Sequence, residues 1–120
     1  MTRHDAREQA FIVLFEKIFN DDMTVAEIVE NAVECDFIKI NGFAQKILDA
    51  VSENDEAIDA FIAQYSREWS IDRLPRVSLS VLRLAVAELK YLDDAPVGVV
   101  INEAVEISKK YGTDEDASFI

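Results

Sequence analysis

The stretch "VVINEAVEISKKYG", Val99 to Gly112, decides how the chain is read. At 100° per residue, Val100, Ile101, Ala104, Val105, Ile107 and Tyr111 fall within an arc roughly 160° wide, while Asn102, Glu103, Glu106, Lys109 and Lys110 lie opposite. The spacing predicts an amphipathic helix. Pro96 suits its first turn, where a missing backbone donor is harmless, and Gly112 suits the left-handed residue that often ends a helix. Glu106 precedes Lys110 by four positions, the favourable order for a pair on one helix face. Asn102 and Glu103 are not demanded by this periodicity, and a structural role at the start of the helix competes with a partner contact.

Helical spacing continues outward from this segment. Phe11, Leu14, Phe15 and Ile18 mark one helix, and Val25, Ile28, Val29, Ala32 and Val33 a second. Thr24 and Glu27 have the spacing of a capping box, which places a boundary near Met23. Phe43, Ile47, Leu48 and Val51 form a third apolar face, and Asn54 is positioned to cap a fourth helix carrying Ile58, Phe61, Ile62 and Tyr65. The stretch "SREWSIDRLPRVS", Ser66 to Ser78, reads as a connector, because Pro75 lacks a donor and disfavours helix at Leu74; Trp69 is expected to pack inward. In "SLSVLRLAVAELKYL" the apolar residues Val81, Leu82, Leu84, Ala85, Val86 and Leu89 fall on more than one side, as suits a central helix covered by neighbours. Thr113 or Asp114 could cap a short last helix that depends on tertiary packing. The reading is all-α, a single domain over residues 1–120, without repeats or linkers.

Composition narrows the function classes. Half the 120 residues are apolar, with three Gly and two Pro, and no apolar run is long enough to span a bilayer, so no membrane association is expected. The first residues lack an apolar signal core and Cys35 is the only cysteine, from which a cytoplasmic location is expected. Cys35 reads as a small buried apolar residue. Gly-rich phosphate loops, paired His or Cys ligands and nucleophile elbows are missing, so no enzyme activity, metal or cofactor is expected. The pairs Asp21-Asp22 and Asp93-Asp94 read as turn and capping residues, and His4 has no catalytic partner in view. The formal charge of −12 opposes a simple nucleic-acid binder, yet it is unevenly spread. Residues 67–90 carry Arg67, Arg73, Arg76, Arg83 and Lys90 against Glu68, Asp72 and Glu88, a locally basic segment.

Three motifs in order carry a resemblance. They are Ala6-Arg7-Glu8-Gln9-Ala10; Trp69 and Arg73-Leu74 leading to Val81-Leu82-Arg83-Leu84-Ala85 and Glu88-Leu89; and Ile101-Asn102-Glu103-Ala104-Val105-Glu106 running to Tyr111-Gly112. In this wording the chain resembles the NusB transcription antitermination family. The aromatic that usually precedes Glu-Leu is Ala87 here, and family members usually continue past Phe119-Ile120, so the final helix is expected to be truncated.

The resemblance implies an all-α bundle of about seven helices and a non-enzymatic role in antitermination of ribosomal RNA transcription. It implies boxA-type RNA as ligand, a small-subunit ribosomal protein acting as NusE as partner, and the transcription elongation complex as setting; a homodimer is left open. An acidic chain suits a basic partner, and the pair can present RNA contacts that the chain alone lacks. By the same resemblance, Arg3 and Arg7 match a basic N-terminal RNA-binding segment, Phe15 an aromatic on the first helix, Arg83 the motif arginine, and Phe119 an aromatic near the RNA surface. Guanidinium groups pair with phosphate and aromatic rings stack on unpaired bases, so these residue types suit the task. The alternatives are a NusB-like module used in ribosomal RNA modification, or a protein-interaction module without direct RNA binding.

Overall fold

The computed structural model describes residues 3–20, 22–34, 42–65, 74–92 and 95–112. Among them lie five helices: α1 (Arg3–Phe19), α2 (Val25–Glu34), α3 (Gly42–Tyr65), α4 (Arg76–Ala87) and α5 (Val97–Tyr111), with a π-helical turn (Glu88–Leu92) continuing α4. None of these is long and apolar enough to cross a membrane. Trp69, Cys35, Asp21, Asp93-Asp94, Phe119 and the expected short last helix lie outside the described residues.

The local rules account for most boundaries. At the start of α2 the Glu27 N–H donates to Thr24 Oγ1 at 3.1 Å and the Thr24 N–H donates to Glu27 Oε1 at 3.3 Å, the reciprocal pair that the spacing anticipates. Pro75 and Pro96 stand immediately before α4 and α5 as their cap residues. α3 consists of two helical segments meeting at a kink at Asn54, whose φ of −129° and ψ of 24° are not helical, so the break expected between a third and a fourth helix falls at that residue. Two expected caps are corrected. Asn54 does not cap the second half: its side-chain amide donates to the Ala50 carbonyl, while the neighbouring Asp55 carboxylate accepts the Glu56 N–H at 2.8 Å. Gly112 ends α5 with φ −121° and ψ −144° rather than in the left-handed region, its N–H donating to the Ser108 carbonyl.

α4 is the axis of the core. Ser78, Leu79, Ser80, Val81, Leu84, Ala85, Val86 and Ala87 are all buried, covering more than one side of the helix. α1, α3 and α5 pack around it, and α2 lies against α1. The fully enclosed side chains Phe11, Ile47, Leu48, Ile58, Val81 and Ile107 come from each of α1, α3, α4 and α5. On α5 the buried set is Val100, Ala104, Ile107 and Ser108, whereas Ile101, placed on the apolar arc by periodicity, is 45% exposed.

The π-helical turn begins at a buried acidic residue, Glu88. The Glu88 carboxylate is 2% exposed and accepts two bonds from Arg7 on α1, Nε to Oε1 at 2.7 Å and Nη2 to Oε2 at 2.6 Å. Removing one member of such a buried pair strands the other charge, whereas replacing both with apolar groups of similar size avoids that penalty. Glu88→Ala is therefore expected to lower the unfolding free energy by about 3–5 kcal/mol. The double variant Arg7→Met, Glu88→Leu is expected to recover most of that loss in urea titration. A double variant no more stable than Glu88→Ala would reject the pairing as the cause.

Candidate nucleic-acid interface

α1 presents two stripes to the rest of the molecule. Arg3, Arg7, Ala10 and Leu14 recur every three or four residues along one, and His4, Glu8, Phe11, Phe15 and Phe19 follow the other, roughly 100° around the helix. The first stripe meets α3 and the end of α4; the second meets α5.

On the first stripe both arginines address the half-buried ring of Phe43 near the start of α3. The Arg3 guanidinium carbon stands 4.7 Å from the ring centroid and that of Arg7 5.3 Å. Arg3 is exposed. Arg7, matched by resemblance to the same basic segment, is 4% exposed and gives its guanidinium to Glu88. It is placed to hold α1 in position rather than to meet a phosphate in solvent.

The second stripe is an aromatic ladder. Tyr111 of α5 and Phe11 have ring centroids 4.9 Å apart, Phe11 and Phe15 5.9 Å, and Phe15 and Phe19 5.1 Å. Such tilted and offset contacts suit ring quadrupoles. Phe11 is enclosed and Phe15 half-buried, whereas Phe19 at 63% and Tyr111 at 38% exposure leave the two ends of the ladder open. Sequence reading singled out Phe15 alone. The spacing of residues 11, 15 and 19 was available as a signal, but only the packing of α5 against α1 adds Tyr111.

Above the ladder sits a polar cluster joining the two helices. His4 Nδ1 is hydrogen-bonded to Glu103, and its Nε2 lies 3.7 Å from Glu8; Glu8 in turn accepts from Lys110 and from the Tyr111 hydroxyl. Glu103, one of the two positions that helical periodicity left unexplained, thus ties α5 to the N-terminal turn of α1. Lys110 makes this long-range bond to Glu8 instead of the pair expected with Glu106. The hydrogen bond to Glu103 raises the His4 pKa above 6.5, against the lowering effect of burial, and the charges of Glu103, Glu8 and Asp5 add to the rise. Burial pushes the Glu8 carboxyl up, but the bonds from Lys110 and Tyr111 and the charges of Lys110 and His4 outweigh it and leave the pKa lowered. Burial, then the bond to Glu8 and its charge, push Tyr111 up to about 12.

Arg83 occupies a different place. Its Nε and Nη2 donate to Asp59 of α3 at 2.9 and 3.0 Å, with side-chain exposures of 21% and 32%. Together they line a groove of about 500 Å³ whose walls include Leu14, Lys17, Ile18, Met23 and Val51. Leu14 lies eleven residues beyond Arg3, or roughly 16 Å along the axis of α1. Arg3, Phe15 and Arg83 are therefore spread along and around α1 rather than gathered at one point. Among the described residues no group of three His, Cys, Asp or Glu side chains is arranged to hold a metal ion.

The sequence model described as the NusB family matches residues 4–120. A transcription antitermination protein NusB from Lysinibacillus sphaericus is 42% identical, the alignment covering 100% of this chain and 91% of the relative. Among solved structures, a T. maritima NusB superposes with a TM-score of 0.88 at 33% identity, over 99% of this chain and 84% of that one. The NusB of a crystal structure of antitermination factors NusB and NusE in complex with dsRNA superposes with a TM-score of 0.84 at 33% identity, over 99% and 91% of the two chains.

The cluster around His4 makes a pH-dependent contribution that can be measured. A raised folded-state pKa means that the folded chain binds more protons than the unfolded chain just above pH 6.5, so the contribution is complete below that value and is lost as pH rises through the raised one. Unfolding free energy measured between about pH 6 and pH 8.5 is expected to fall less in His4→Gln than in the parent. An identical pH slope in the two proteins would refute the coupling. Glu8, with a lowered pKa, acts in the opposite sense and in a separate acidic window, losing its contribution as pH falls below 4.5.

Proposed function

The chain belongs to the NusB family, and from that premise we propose that it is a non-enzymatic transcription antitermination factor that binds boxA-type RNA of ribosomal RNA operons. It does so as one NusB-like domain, in the cytoplasm, together with a small-subunit ribosomal protein in the role of NusE and within the transcription elongation complex. The observation that carries this reading is the full-length likeness to a NusB solved in complex with NusE and dsRNA.

The physical chemistry of the chain supports a shared interface. A net charge of −12 repels phosphate and attracts a basic protein, so the partner supplies cations that this chain lacks. Several of its own cations are engaged internally: Arg7 with Glu88, Arg83 with Asp59, Lys110 with Glu8, and Lys90 over the Phe61 ring at 3.9 Å. In this reading Arg3 and Arg83 contact phosphate, Phe15 and Phe119 offer rings to unpaired bases, and Arg7 orients α1 from within the fold. Arg83 can turn a remaining guanidinium donor outward while Asp59 holds it, since the group carries five donors.

RNA affinity is expected to be weak for the chain alone, to rise on adding the basic partner and to fall as salt rises, because released counterions accompany each phosphate contact. Fluorescence anisotropy on the heterodimer provides the measurement, with boxA-type and scrambled RNA. Arg3→Glu is expected to weaken binding and reduce the salt dependence. Phe15→Ala is expected to lose a stacking contribution of about 1–3 kcal/mol while leaving the salt slope unchanged. Equal affinity for the two RNAs, or no loss in either variant, would favour a protein-interaction module without RNA recognition.

A further inference from the structure

The second half of α1, the start of α2, the middle of α3 and Arg83 of α4 enclose a groove of about 500 Å³. That volume falls within the range of about 300–1,000 Å³ common to pockets that enclose a ligand. The floor is apolar: Leu14 and Val51 are buried there, and Ile18, Met23 and Val25, packed against the core, keep part of their surface open. The rim is charged, and its charges do not balance. Arg83 is neutralised by Asp59, both of whose carboxylate oxygens accept from it, and Lys17 already has a partner. Asp22 and Asp55 are exposed on the same rim, and among the described residues neither is ion-paired; Asp55 accepts the Glu56 N–H.

We propose that this groove receives a lysine- or arginine-bearing segment of the chain's basic protein partner, with the aliphatic stem on the apolar floor and the charged end at the Asp22 and Asp55 carboxylates. This rests on the reading above in which a ribosomal protein is that partner, and it assigns the surface on which the two meet. Long basic side chains satisfy both parts of the groove, because their methylene stems cover apolar surface while the cationic end stays at a wet rim. A net charge of −12 draws a basic protein toward the chain as a whole without selecting a place on it. Two unpaired carboxylates at the edge of an apolar floor select one. Met23, flexible and polarisable, lets the floor adapt to the stem it meets. Asp22, Met23 and Val25 belong to none of the three motifs that carry the family resemblance, and their order along the chain marks only the boundary before α2.

The test is titration calorimetry of the full chain with the purified ribosomal protein in the absence of RNA, with the unfolding midpoint of every variant recorded alongside. Asp22→Asn combined with Asp55→Asn keeps an acceptor for the Glu56 N–H, and is expected to weaken binding about three- to tenfold at low salt and less at high salt. Glu34→Gln combined with Glu106→Gln removes the same charge from exposed positions outside the groove, and is expected to stay within about twofold of the parent. Ser52→Trp fills the groove from an exposed position on its wall, and is expected to weaken binding about tenfold or more at either salt. The methyl resonance of Met23, one of two methionines in the chain, is expected to shift as the ribosomal protein is added. Equal losses, or no loss, in the two double variants would reduce the attraction to bulk charge and overturn the proposal, as would parent-like affinity in Ser52→Trp. A Met23 resonance moved by RNA or by the chain's own concentration, and not by the ribosomal protein, would give the groove a different occupant and overturn it equally. Absence of binding by the parent chain would instead remove the ribosomal protein as partner, and the assignment of the groove with it.

Discussion

Two opposite charges taken out of water must meet with good geometry or the fold bears the cost of both, and in this protein the requirement falls on Arg7 and Glu88, 81 residues apart in sequence. Their contact defines how α1 lies against the end of α4. The carboxylate stands at the first residue of the π-helical turn that continues α4, where an arginine from another helix meets both oxygens. Once α1 is held there, its neighbouring stripes have fixed destinations, one against α3 and the other against α5.

Those two stripes divide the labour of the candidate interface. One brings cations onto the Phe43 ring; the other builds a ladder of rings from Tyr111 through Phe11 and Phe15 to Phe19. The polar cluster of His4, Glu8, Glu103, Lys110 and Tyr111 fastens the N-terminal turn of α1 to α5. Cationic and aromatic groups are thus held on rigid helices, which limits the freedom they lose on meeting a ligand.

Charge gives the partner its physical rationale. An acidic chain that commits Arg7, Arg83 and Lys110 to its own carboxylates has little surplus positive charge for a phosphate backbone. In the function proposed above, association with a basic protein corrects that balance, and this chain's arginines and rings add position and stacking rather than bulk attraction.

Features that depend on neighbours along the chain were legible from the order of residues alone. Thr24 and Glu27 find each other three residues apart, Pro75 and Pro96 precede helices, and the mixed faces around Val81 and Leu84 mark α4 as the covered axis. That order also placed the chain in its family, because the wording around Ile101-Asn102-Glu103-Ala104 survives independently of packing. Which charges meet depends on how the helices pack. Arg7 and Arg3 carry the same side chain one turn apart, and nothing local says that one is enclosed with Glu88 while the other stays exposed over Phe43. Glu103 and His4 are 99 residues apart, and Tyr111 joins the Phe11 ladder only because α5 folds back on α1. Periodicity follows the helix axis, whereas ion pairs and ring contacts between helices depend on how those axes pack, and that information is distributed over the whole core.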